Sequence, residues 1–338
     1  MSGAGDTDPG VPAGASTPVS ALASGRRGWG DRVYSVVLNG AVATVLVLVA
    51  AIGAALWWQS RPSIAAFGWR FVTGSVWDEV EGVFGVRPFV FGTLYTSVLA
   101  MVLAVPISVA SAMHLIVLRP RWLRAPITFL IELLAAIPSV IYGLWGIFVL
   151  VPFLRDRVMA PLAASPGLAK VPLLGTLLSG AGYGPSVLAA SVLLAIMAVP
   201  FITAVTRDVL LAVPSAQREA AAGLGATRWE TFRLVLLPAA RPGIIGAVML
   251  GFGRAFGETM AVTMVIGNQS PSVPGGISPA LFDPGATMAS ALANKFTEAT
   301  PGVHTAALIE IGLVLLVTGF CVNAAARLLV GAVARRNP

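Results

Sequence analysis

The chain has 338 residues, of which 57% are hydrophobic and 11% are charged, against about 25% charged residues in a soluble domain, so a water-soluble globule is excluded. Its net charge of +7 is spread as single basic residues between apolar stretches, not gathered into a basic patch with interleaved aromatics, so no nucleic-acid partner is expected. One cysteine, Cys321, rules out an intrachain disulfide, and one Cys with two His cannot complete a four-ligand zinc site, so no metal site is expected.

Residues 1–25 are rich in Gly, Ala, Ser, Pro and Asp without any period, a composition that buries too little apolar area to offset ordering entropy. A disordered cytoplasmic tail is predicted there. Arg26, Arg27 and Arg32 then precede an apolar run from Val33 to Trp57, too long for the h-region of a cleaved signal peptide and long enough to cross a bilayer, which takes about 20 residues. Residues 26–90 are accordingly read as a first transmembrane helix and an outer segment. Five further spans are predicted at Phe91–Leu118, Ile127–Val151, Pro185–Thr206, Gly243–Gly267 and His304–Val330, giving an all-α polytopic membrane protein with six transmembrane helices. Residues 332–338 remain as a cytoplasmic C-terminal tail. Pro106, Pro138 and Pro200 fall inside spans, where kinks are expected.

Orientation follows from the Lys and Arg in alternate loops. With the N-terminus inside, 14 basic residues lie on the inner side and seven on the outer, with Arg254 left inside a span; both termini are therefore expected in the cytoplasm. Trp57, Trp58, Trp69 and Trp77 would mark the outer interface after the first span.

The inner loop between the fourth and fifth spans, residues 208–241, contains a segment that reads as built. In SAQREAAAGLGATRWETFRLVLLP (Ser215 to Pro238), Ser215 can cap a short helix that closes near Gly225, and Thr227 with Glu230 has capping-box spacing for a second helix limited by Pro238. Span five carries a second signal. Arg254 falls near its midpoint, where an Arg costs about 2.5–3.5 kcal/mol and faces a cavity or a partner. Glu258, four residues on, would share its helical face and reach it as an ion pair, and Gly253 and Gly257 have the spacing that admits a close helix. On residue chemistry alone the pair is equally a packing device or an anion contact, since a guanidinium can hold an oxyanion through two parallel hydrogen bonds. Glu132 and Glu310 are two further intramembrane carboxylates, each either a path residue and partner for Arg254 or a snorkelling or protonated group. His114 and His304 read as interfacial or packing residues. The lysines, Lys170 and Lys295, lack the GxxxxGK[ST] context that cradles nucleotide phosphates.

The inner loop resembles that of binding-protein-dependent ABC importer permeases, whose signature is EAA, three residues, Gly, nine residues, Ile, one residue, Leu-Pro. Glu219, Ala220, Ala221, Gly225, Leu237 and Pro238 stand at those places, with Val235 for the Ile. Three stretches further resemble the phosphate permeases of the PstC type: GTLYTSVLAMVLAVPISV opening span two, AIPSVIYGLWG (Ala136 to Gly146) and GRAFGETMAVTMVIGN (Gly253 to Asn268). The resemblance implies a type I ABC importer permease fold over residues 91–331, with the inner loop as the coupling helix that docks on an ATPase. It also carries the family's path residues onto Arg254 and Glu258, with Thr259 beside them. It implies a PstA-type permease as heterodimer partner, a PstB-type ATPase dimer that binds ATP and Mg, a PstS-type phosphate-binding protein, and inorganic phosphate as cargo. No cofactor is expected on this chain, and no catalysis. A permease for sulfate, molybdate or another oxyanion is the neighbouring reading; a self-contained channel or carrier would have no use for an ATPase-docking loop.

Overall fold

A computed structural model describes residues 29–118, 121–164, 172–180, 182–269 and 278–335. The tail predicted at residues 1–25 lies outside them. Contacts divide the chain into a unit ending at Ile52 and a second unit from Gly53 onward.

In chain order the helices are α1 (Trp29–Phe67), α2 (Trp69–Thr73), α3 (Arg87–Met113), α4 (Arg121–Ala136), α5 (Ser139–Ala163), α6 (Pro172–Leu177), α7 (Val187–Leu211), α8 (Ser215–Gly223), α9 (Arg228–Gly257), α10 (Met260–Val265), α11 (Met288–Lys295) and α12 (Val303–Arg335). A two-residue hairpin, β1 (Trp77–Asp78) against β2 (Val83–Phe84), pairs Trp77 with Phe84. Among the described residues six helices are long and apolar enough to cross a bilayer: α1, α3, α5, α7, α9 and α12. Two differ in place from the spans read in the sequence. Ile127–Val151 is not one helix, because the chain breaks at Ile137 and Pro138. Pro138 has an extended ψ of 139° and starts a new helix, as a residue with no N–H and a fixed φ does. The third span is therefore Ser139–Ala163, and α4 is a separate shorter helix. Likewise Gly243–Gly267 is not continuous: the fifth span begins at Arg228 and ends at Gly257. Pro106 and Pro200 stay within unbroken helices.

The centre of the second unit is α7, packed on α3, α9 and α4. Its core residues Ala189, Ala190, Leu193, Ala198 and Ile202 are buried. Small side chains let the backbones approach, and hydroxyls cross between helices. Ser108 Oγ donates to the Val199 carbonyl at 3.2 Å, the interhelical bonding that holds bundles where lipid supplies no hydrophobic drive. At the end where α3, α7 and α9 meet near α8, a second cluster joins Ala112, Leu210, Phe232, Leu236 and Ile244.

The opposite end is built from distant segments. Phe71, Trp77, Phe84, Phe89, Met288 and Leu308 form an aromatic cluster under the hairpin, and burying a ring such as Trp77 is worth about 1.5–3 kcal/mol or more. His304 stacks on Phe84 with centroids 5.1 Å apart. Thr93 Oγ1 accepts from the Met288 amide at 2.9 Å, and any side chain at Gly92 would collide with the Ala286 carbonyl. Glu79 on the hairpin accepts from Lys295 Nζ at 2.7 Å and from Trp77 Nε1 at 3.2 Å. That hydrogen bond to Lys295 holds the Glu79 carboxyl below its ordinary value of 4.5, against the opposing effect of partial burial.

Candidate functional site

The elbow between α7 and α9 is built by local rules. α8 begins at Ser215, but Pro214 is its cap residue and Ser215 is the first helical position with no capping side-chain bond, contrary to the sequence expectation. The extended Pro214, whose carbonyl accepts from the Gln217 amide at 3.2 Å, already turns the chain into the helix. At the other end Gly225 adopts φ 80°, the Ala226 amide reaches the Ala221 carbonyl at 3.1 Å and the Gly225 amide reaches Ala222 at 3.0 Å. This is the glycine-closed helix end that the sequence suggested. Thr227 then caps α9 reciprocally: its amide donates to Glu230 Oε2 at 2.8 Å, and the Glu230 amide donates to Thr227 Oγ1 at 3.3 Å.

Pro238 does not limit this second helix. The turns at Thr231–Leu236 are widened to π geometry, with the Leu237 amide bonding back to Phe232, so the proline ring enters without breaking the ladder. The elbow therefore runs directly into the fifth span as one helix, Arg228–Gly257. Ala221, Phe232 and Leu236 are buried as its anchors. Glu219, Ala220 and Gly225 are exposed, Val235, Leu237 and Pro238 half-buried. The sequence reading passed over two exposed apolar residues on the elbow, Leu224 at 89% and Trp229 at 55% exposure; their signal was large apolar side chains in an otherwise polar loop.

At the far end of α9, roughly 40 Å along a helix rising 1.5 Å per residue, stands Arg254. It sits in the last turn, not at the middle of a span, and it is exposed. The helix ends at Gly257, and Glu258 is extended with ψ 125°, so the two do not share a helical face. No ion pair joins them among the described residues. Instead Glu258 Oε1 accepts from the Ala261 amide at 3.4 Å, at the start of α10, while both residues line a cavity of about 10 Å³ with Leu194, Met197 and Ala198. That is space for one water. The guanidinium carbon of Arg254 lies 6.0 Å from the Phe201 ring centroid, at the limit of a cation–π contact. Thr259 is half-buried at the break, its hydroxyl 3.4 Å from the Gly257 carbonyl. A Cβ at Gly253 or Gly257 would meet nothing within 4 Å, so this face of α9 is open in the isolated chain.

Neither further carboxylate partners Arg254. Glu132 lies on α4, outside the six long helices, and bonds Arg207 Nη1 at 3.4 Å, while Arg207 also holds Asp208 at 2.8 Å. The sequence counted Arg207 only as an inner charge, and a separation of 75 residues left no signal of the pair. Glu310 is buried at 5% exposure on α12, and its Oε2 has no partner among the described residues. Among these residues no group of three or more His, Cys, Asp and Glu could hold a metal.

The family model for the binding-protein-dependent transport system inner membrane component matches residues 104–335. A phosphate transport system permease protein PstC from Mesorhizobium japonicum is 43% identical over 297 residues, 88% of this chain and 89% of its own length. PstC from Haemophilus influenzae is 44% identical over 288 residues, 85% and 88% of the two chains, and PstC 2 from Mycobacterium tuberculosis is 38% identical, covering 89% and 92%. Among solved structures, a bacterial alginate ABC transporter chain aligns with TM-score 0.56 at 14% identity, covering 89% of this chain and 96% of that one. A MetNI methionine ABC transporter chain aligns with TM-score 0.51 at 20% identity, covering 72% and 93%. The fold is that of type I ABC importer permeases, and the chain belongs to the family of binding-protein-dependent transport system inner membrane components.

Proposed function

We propose that this chain is the PstC-type permease subunit of an ATP-driven importer of inorganic phosphate, forming one half of the translocation path. The observation that carries the reading is its 38–44% identity to phosphate transport permeases over most of its length. It is a transport subunit and not an enzyme. In this reading both termini are cytoplasmic, residues 91–331 are the permease domain and residues 208–241 the coupling loop. A PstB-type ATPase dimer, which alone binds ATP and Mg, receives α8 in a surface cleft; the small Ala220 and exposed Leu224 and Trp229 enter it, with Glu219 at the rim. ATP-driven closure pushes on the elbow. Because α9 continues unbroken from Thr227's cap to Gly257, the push travels along one rigid rod to Arg254.

There the open face of α9 at Gly253 and Gly257 meets a homologous PstA-type permease, and Arg254 enters the path between the two subunits. A PstS-type binding protein delivers phosphate from outside, so selectivity rests mainly with that protein and Arg254 supplies a transient contact. Glu258 and Thr259 form the break at which the rod ends, and Glu258 holds α10 while leaving the guanidinium unneutralised. Alternating access follows as the two permeases rock about this contact.

The test is ATP-dependent uptake into vesicles bearing the reconstituted complex. Labelled phosphate should accumulate and be insensitive to excess sulfate or molybdate. Uptake that sulfate or molybdate abolishes would transfer the chain to another oxyanion, and uptake without the ATPase subunit would remove it from this class altogether.

A further inference from the structure

The elbow end of the bundle holds a second feature that the transport reading does not use. Between α3 and α4 lies a groove of about 600 Å³, with Ile107 and Met113 on one wall, Ile127 and Ile131 on the other, and Ser111 and His114 as its polar groups. A space of this size, mostly apolar with a few polar groups, has the make-up of a small-molecule site. The α4 wall packs mainly on α7, where Glu132, the neighbour of Ile131, is tied to Arg207. The outer surface of α4 is itself apolar and exposed at Phe129, Leu130, Leu133 and Leu134.

The first turn of α4 is basic in sequence. Arg121 and Arg124 occupy the first turn of α4. Ile127 and Ile131 follow Arg124 by three and seven residues, so the three positions share one helical face, basic at the start of α4 and apolar above. Met113 ends α3 beside the cluster of Ala112, Leu210 and Phe232 that anchors the elbow, which puts the start of α4 at the elbow's end of the bundle. Basic positions at the cytoplasmic end of an interhelical pocket suit an anionic headgroup. We infer that this groove is a binding site for one anionic phospholipid of the inner leaflet, its acyl chain between α3 and α4 and its phosphate at the start of α4.

The site is tested on the transporter purified with its partner subunits and placed in nanodiscs containing spin-labelled phosphatidylglycerol or phosphatidylcholine. The fraction of label immobilised should favour phosphatidylglycerol, and Arg124→Gln should lower that preference about fivefold, the scale of one basic residue at an anionic surface. Ile131→Trp, which fills the groove, should reduce immobilisation of both lipids, whereas Phe148→Trp on the exposed face of α5 should change neither. Equal immobilisation of the two lipids, or no effect of either α4 substitution, would overturn the proposal. So would displacement of the label by inorganic phosphate, which would make this a free-anion site. A cysteine at position 131 that crosslinks to the second permease in the assembled complex would likewise overturn it, by giving the groove a protein occupant.

Discussion

The two ends of the bundle are held together by different kinds of contact. At one end the elbow is closed by bonds between residues three to five apart, from Ala221 to Ala226 and from Thr227 to Glu230. At the other end Thr93 bonds Met288 across 195 residues and Lys295 bonds Glu79 across 216. Local bonds survive any motion of neighbouring helices, so the elbow can keep its own shape while they move. An end assembled from separate segments changes shape when those segments shift as bodies. Arg254 stands where one kind gives way to the other, at the end of the rod and one turn before the chain breaks.

The comparison can be broken at three points. The largest effect is expected for Arg254→Gln, which keeps size and hydrogen bonding but removes the charge. Phosphate uptake should fall by more than about tenfold, the loss of roughly 1.4 kcal/mol or more from a charged hydrogen bond, while the complex still co-purifies. Near-normal uptake would reduce the residue to packing. Next is Gly225→Val, for which the space is open but the backbone is not. With φ at 80°, a β-branched residue is strained by about 1–2 kcal/mol. Uptake should drop several-fold with ATP hydrolysis retained; uptake and hydrolysis both unchanged would show that the elbow tolerates a different bend.

The smallest effect concerns acid. Glu79 has a carboxyl held below its ordinary value of 4.5 in the folded chain by Lys295. Its contribution is therefore complete above that value and lost as pH falls below it toward the depressed one. The pair is partly exposed, so about 0.5 kcal/mol is at stake. Thermal stability of wild type should fall toward that of Glu79→Gln as pH is lowered from 7 to about 3.5. A difference between the two that is constant with pH would assign Glu79 a role other than charge.

The elbow was legible because its chemistry is short-range. The Gly225 turn, the Thr227 and Glu230 cap and the EAA spacing are each contained within a few residues, so reading along the chain recovers them. Ser215 and Pro238 misled for a related reason: Pro214 had already taken the cap position, and a π-widened turn admitted a proline that a regular helix would reject. The break at Glu258 was hidden because GETMAVTMVIG is as apolar as a span and contains no proline. Its extended backbone comes with a carboxylate turned to the Ala261 amide and with α10 packed on α5, neither of which leaves a periodic trace.

By itself, then, the order of residues determined that the chain has six apolar spans and a capped elbow, because hydropathy and capping depend on neighbours in the chain. Only the tertiary structure decided that Arg254 stands exposed in the last turn of a helix, that Glu132 belongs to Arg207, and that Glu310 is enclosed. An ion pair is settled by which helices lie side by side, and a separation of 75 residues carries no information about that until the helices have packed.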